Sequence, residues 1–152
     1  MSDLSLTPSD CNQAALRRAS RRLGQLYDLA LSPTGLTSAQ FSLIKSVDRL
    51  KNPSQSDLAT DLVMNLSALG HTLKPLVRDG LLTIFPDPND RRKRRIRLTD
   101  AGSRKLKEAA KRQGLAHARF ESLLGRNEAK ALRQLLDHLA SQSFTDQFLC
   151  EL

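Results

Sequence analysis

SQSDLATDLVMNLSALGHTLKPLVRDGLL, Ser54 to Leu82, decides the fold, together with DPNDRRKRRIRLTDAG from Asp87 to Gly102. Ser54 and Asp57 have the spacing of a capping box, in which each side chain accepts from the other residue's backbone N–H. A short helix with Leu58, Ala59 and Leu62 on its apolar side is expected there. After the turn VMN, Asn65 is a second N-cap, and Leu66, Leu69, Leu73, Leu76 and Val77 recur at helical spacing as the buried stripe of the next helix. Gly80 suits a left-handed C-cap. LLTIF, Leu81–Phe85, reads as a strand, and RRIRL, Arg94–Leu98, as its partner. Ile96 and Leu98 then face one way and Arg95 and Arg97 the other.

Short helix, tight turn, second helix and hairpin together make a helix-turn-helix with a β wing. Six of the seven residues from Arg91 to Arg97 are Lys or Arg, so the basic run occupies the hairpin tip and the outgoing strand. An ordered projection with this much like charge suits a phosphate-rich groove, and an α-helix fits the major groove of duplex DNA. The competing explanation is a solvated charge cluster, which is what most such runs are.

Outward from this centre the chain reads as helices. TPSD, Thr7–Asp10, opens the first, and Leu16, Ala19, Leu23, Leu26 and Ala30 form a heptad seam. Arg17, Arg18, Arg21 and Arg22 read as an ordinary exposed face. SPTG at Ser32–Gly35 breaks this helix, and TSAQ at Thr37–Gln40 caps a second with Phe41, Ile44, Val47 and Leu50. From Thr99 a long helix runs to about Leu124, GRNE interrupts it, and Leu132, Leu135, Leu136 and Leu139 make a last amphipathic stripe. The seam and this stripe are too apolar to stay wet, which predicts burial against a second copy. The expected fold is mainly α: a winged helix-turn-helix with a two-stranded wing over 37–99, flanked by dimerisation helices over 1–36 and 100–152.

The 152 residues carry a formal charge of +8, which favours an anionic partner, nucleic acid ahead of an acidic membrane surface. Trp is absent and aromatics are only 4%, against single-strand binding on rows of stacked rings. No apolar run approaches a membrane span, and MSDLSLTPSD is too polar for a secretory signal. The two cysteines have neither CxxC nor metal spacing. A reducing, cytoplasmic setting is expected, with no cofactor or metal. GxSxG, phosphate-loop and HExxH patterns are absent, so no catalytic residue is assigned. A thiol enzyme using Cys11 or Cys150 and a nucleoid-type, unselective DNA binder are the rival classes.

The central block resembles the MarR family of bacterial transcription regulators. The wing pattern D-x-R, a short gap and L-T is matched by Asp90, Arg92, Leu98 and Thr99. The resemblance implies an obligate homodimer with interlocked end helices. It also implies a pseudo-palindromic operator and repression relieved by a small molecule or by oxidation. It places DNA contacts at Ser54, Gln55, Asn65, Ser67, Ala68, His71, Thr72, Lys74, Arg91, Arg92, Lys93 and Arg94. His71 stands where many relatives carry Arg, and Pro75 removes one backbone donor inside the recognition helix, so base contacts are expected on its N-terminal half. Ligands in this family lodge between the dimer region and the winged helix, which here means Leu26, Tyr27, Ala30, Phe41 and His117. A small apolar or aromatic effector would suit them, although core packing competes for each. The resemblance also brings Cys11 near Cys150 of the other subunit, as a redox pair or as two ordinary thiols.

Overall fold

A computed structural model describes residues 11–150. The Thr7 cap lies outside them. Helix α1 (Asn12–Leu31) ends in a 3₁₀ turn, Ser32–Thr34, and Gly35 closes the turn with φ 76°. The capping box of α2 (Ser38–Leu50) is formed in both directions: the Thr37 N–H donates to Gln40 Oε1 at 2.9 Å, and the Gln40 N–H to Thr37 Oγ1 at 3.2 Å. Asp28 of α1 accepts from the Ser38 N–H at 2.6 Å and fixes the angle between these helices. The box of α3 (Gln55–Asp61) is likewise reciprocal between Ser54 and Asp57. Arg49 pairs with Asp61, tying the far ends of α2 and α3 together.

Asn65 caps α4 (Leu66–Arg78) by accepting from the Ala68 N–H at 2.7 Å. Strands β1 (Leu82–Pro86) and β2 (Arg94–Leu98) form an antiparallel pair with Ile84 opposite Ile96. The first strand begins one residue later than its composition predicts. Leu81 is taken up in closing α4: its N–H bonds to Leu76 O and the Gly80 N–H to Val77 O, the Schellman arrangement, with Gly80 at φ 71°. On its other edge β2 receives Pro53 and Ser54, through the Ile96 N–H to Pro53 O bond, so wing and α3 share one sheet edge.

Thr99 caps α5 (Asp100–Leu124), and Gly125 leads into α6 (Arg126–Leu139). A further helix, α7 (Gln142–Cys150), goes beyond the sequence expectation; Ser141 caps it by accepting from the Phe144 N–H. The core lies under the helix-turn-helix, where Leu43, Ile44, Leu58, Leu69, Leu76 and Ile96 are almost wholly buried. α1 crosses α5, and α6 packs on α5, so α5 links the wing to the end helices. Among the described residues no helix is long and apolar enough to cross a membrane.

Candidate nucleic-acid interface

The fourth helix presents an exposed stripe, Ser67, His71 and Lys74, at i, i+4 and i+7. Its opposite face, Leu69, Leu73 and Leu76, is core, but Leu66, expected in the same buried stripe, stands exposed at the first helical position. Ala68 and Thr72 lie on the flank, half-buried, and the Thr72 hydroxyl donates back to Ala68 O at 3.3 Å. Asn65 is exposed, although its side-chain oxygen is already engaged as the cap. Pro75 is accommodated within an unbroken α4.

The wing is built from its carboxylates. Asp87 is buried and accepts from the Asn89 N–H at 2.8 Å, an Asx turn that starts the hairpin tip. It also accepts from Arg95 Nε at 2.6 Å. Those two donors, the backbone N–H first, hold the Asp87 carboxyl below its ordinary pKa. Arg95 reaches further, to Asn52 O and to Asp57 Oδ2, both at 3.4 Å. Asp57 is itself held low, chiefly by the Ser54 N–H and hydroxyl and then by Arg95. Arg95 is thus a structural latch between wing and α3, its guanidinium engaged by Asp87, Asp57 and Asn52 O. Arg97, on the same face, lies over the Phe85 ring at 4.9 Å. Asp90 Oδ1 accepts from the Arg92 backbone N–H at 3.1 Å and from its Nε at 3.3 Å, so Arg92 shapes the tip as well as charging it.

What remains outward is Arg91, Lys93 and Arg94, all exposed, and among the described residues they form no ion pair. An open groove runs between the start of α3 and the wing, lined by Ser54, Gln55, Ser56 and Arg92 to Arg95. The helix-turn-helix and the wing therefore expose most of the expected DNA residues, with Arg91, Lys93 and Arg94 on the wing tip and Ser67, His71 and Lys74 on α4.

The residues expected at a ligand site do not assemble into one. Tyr27 lines an apolar cleft between α1 and α6, with Leu16, Ala19, Leu23, Leu132 and Leu136. Its volume of about 520 Å³ falls within the range of small-molecule sites. Burial there pushes the Tyr27 phenol pKa up, opposed by nearby Arg133. Phe41 instead belongs to the core, at 4% exposure. Leu26 stands half in water, Ala30 is half-buried, and His117 pairs with Glu121 at 3.2 Å beside Arg133. Cys11 and Cys150 are both exposed, one before α1 and one ending α7. Among the described residues no cluster of His, Cys, Asp and Glu could hold a metal.

Comparison with known proteins agrees with this geometry. The sequence profile of the MarR family matches residues 36–93. The multiple antibiotic resistance protein MarR of Escherichia coli is 30% identical over 88 residues, a stretch that is 58% of this chain and 61% of that relative's length. The structure of a transcriptional repressor, CouR, on a 23-mer DNA duplex superposes with a TM-score of 0.80 at 32% identity, covering 87% of this chain and 94% of that one. The Mycobacterium tuberculosis regulator MOSR, in complex with DNA, gives 0.80 at 30% identity, covering 94% of this chain and 100% of that one.

Proposed function

Because this chain belongs to the MarR family of winged-helix transcription regulators, we propose that it reads a pseudo-palindromic operator as a homodimer and represses from it. The observation that carries this is the exposed α4 stripe, Ser67, His71 and Lys74, beside a wing tip whose cations Arg91, Lys93 and Arg94 are not consumed by ion pairs among the described residues. Polar side chains on a helix, here Ser67 and His71, suit base edges, and long cationic side chains, here Lys74 and those of the hairpin, suit phosphates. Residues 37–99 form the reading head and the helices on either side hold the dimer. The protein acts by binding, in the cytoplasm, and without catalysis.

Exposed apolar surface supports the dimer. Among the described residues, all but two of the large apolar side chains that stand exposed lie on α1, α5, α6 and α7, including Leu29, Leu115, Leu123, Leu135 and Phe148. A monomer would leave that surface in water. In the dimer, two copies of α4 must sit about 34 Å apart to enter successive major grooves. An effector that prefers another spacing shifts the population away from the DNA-bound form. CouR is also known bound to p-coumaroyl-CoA. For this chain a small apolar or aromatic effector is the proposed ligand; the cleft at Tyr27 is lined by seam and stripe residues, which the partner subunit covers in the dimer.

The test is selection of duplexes from a random pool by the full-length protein. An inverted repeat with half-sites about one helical turn apart is expected. Retention of all duplexes alike would support an unselective, nucleoid-type binder instead.

A further inference from the structure

Among the described residues, two exposed large apolar side chains are not on the end helices: Val63, 72% exposed, and Leu66, 56% exposed. They bracket the Asn65 cap in the turn that leads into α4. They lie apart from the end helices, which carry every other exposed large apolar side chain among the described residues.

Val63 is also in an uncommon conformation, with φ 51°. Its N–H bonds to Thr60 O at 3.2 Å, and the Met64 N–H to Ala59 O at 2.8 Å, so α3 ends in a Schellman motif with valine at the left-handed position. A β-branched residue is a true outlier there. The same motif closes α4 with Gly80. Burial does not offset the strain at Val63, because the side chain points into water. Strain held at an exposed site calls for a role in binding.

From these observations, and resting on the DNA-reading function proposed above, we infer that Val63 and Leu66 form an apolar reading edge that contacts thymine C5-methyl groups in each half-site. Both side chains stand exposed at the N-terminal end of α4, Val63 before the Asn65 cap and Leu66 at the first helical position. In the major groove the thymine methyl is the distinctive apolar group on a base edge, and aliphatic side chains recognise it by contact. The surrounding groups, Asn65 and Ser67, are polar and short, and leave the two apolar side chains standing proud.

Replacing single thymines of the selected operator by deoxyuridine removes only that methyl and leaves base pairing intact. At one or two positions per half-site the parent protein should lose about fourfold in affinity, the value of one buried methylene-sized group. That penalty should disappear in Val63→Ala or Leu66→Ala, while the Ser67→Ala variant keeps it. Val63→Gly should melt no lower than the parent and still lose the discrimination, a combination that a purely structural residue does not produce. The inference is overturned if no uracil substitution weakens the parent, or if the penalties persist in both alanine variants. If no duplex is enriched from the pool in the first place, the DNA-reading function fails and this inference with it.

Discussion

Gly102→Ala sets two physical effects against each other. Gly102 lies in the first turn of α5, so helix propensity alone says that alanine should stabilise by about 1 kcal/mol. Packing says the opposite. A Cβ at Gly102 would stand 2.0 Å from the Leu81 carbonyl oxygen and 2.9 Å from Leu98 Cδ2. The obstacle is backbone, so the start of α5 must retreat by about 1 Å to restore van der Waals contact. Thr99 anchors it there, its N–H to Leu81 O at 3.1 Å and its hydroxyl to Gly80 O at 2.6 Å and to Leu81 O at 3.2 Å, while the Gly102 N–H bonds to Thr99 Oγ1 at 3.0 Å. Losing the two anchors costs about 1 kcal/mol each, and weakening the cap about another 1 kcal/mol. Set against the propensity gain, the net loss is about 2 kcal/mol. Gly70→Ala in α4 is the control: a Cβ there meets nothing within 4 Å, and a gain of about 0.5–1 kcal/mol is expected. Urea unfolding followed by circular dichroism, at one fixed protein concentration, measures both. If Gly102→Ala were as stable as the parent, the close approach of α5 to the wing would not be what fixes their angle.

Three further perturbations test other parts of the account. Leu135→Asp puts a charge on the exposed stripe of α6, and light scattering should find monomer or unfolded chain; an intact dimer would place the interface elsewhere. The wing latch should be acid-sensitive: Asp87 is held below its ordinary pKa of 3.8, so its contribution is complete above that value and is lost as pH falls through the lower, folded value. The Asn89 amide resonance should therefore titrate with a midpoint under 3.8, and a midpoint above it would mean that the Asp87 contacts do not form in solution. Mild peroxide should leave operator binding unchanged in the parent and in Cys11→Ser; a disulfide-linked dimer and lost binding, both absent from Cys11→Ser, would instead make the cysteines a sensor.

Local signals make the centre of the fold legible. The boxes at Thr37–Gln40 and Ser54–Asp57, the Asn65 cap and Gly80 all act within one helical turn, and each forms as its residue types require. The alternation in RRIRL places β2, yet it treats Arg95 and Arg97 as equivalent. It does not reveal that Asp87, eight residues away across the hairpin, draws Arg95 inward. The Asx turn at Asp87 is a readable clue; the ion pair is not, because it depends on strand register. Helix α7 escapes the sequence because its cap, Ser141, sits in a short polar stretch and its large apolar residues, Phe144, Phe148 and Leu149, are too few for a clear period. Val63 carries no signal of its left-handed conformation, since valine is among the residue types least expected there.

The proposed division of labour between α4 and the wing is measured by titrating variants against the selected operator and a scrambled duplex of equal length, at several salt concentrations. Arg91→Ala and Arg94→Ala should weaken binding to both duplexes and lower the salt slope by about one for each phosphate that is no longer neutralised. Ser67→Ala and His71→Ala should cost about 1–3 kcal/mol on the operator and little on the scrambled duplex. The claim is contradicted if the wing variants change sequence preference while the α4 variants leave it intact.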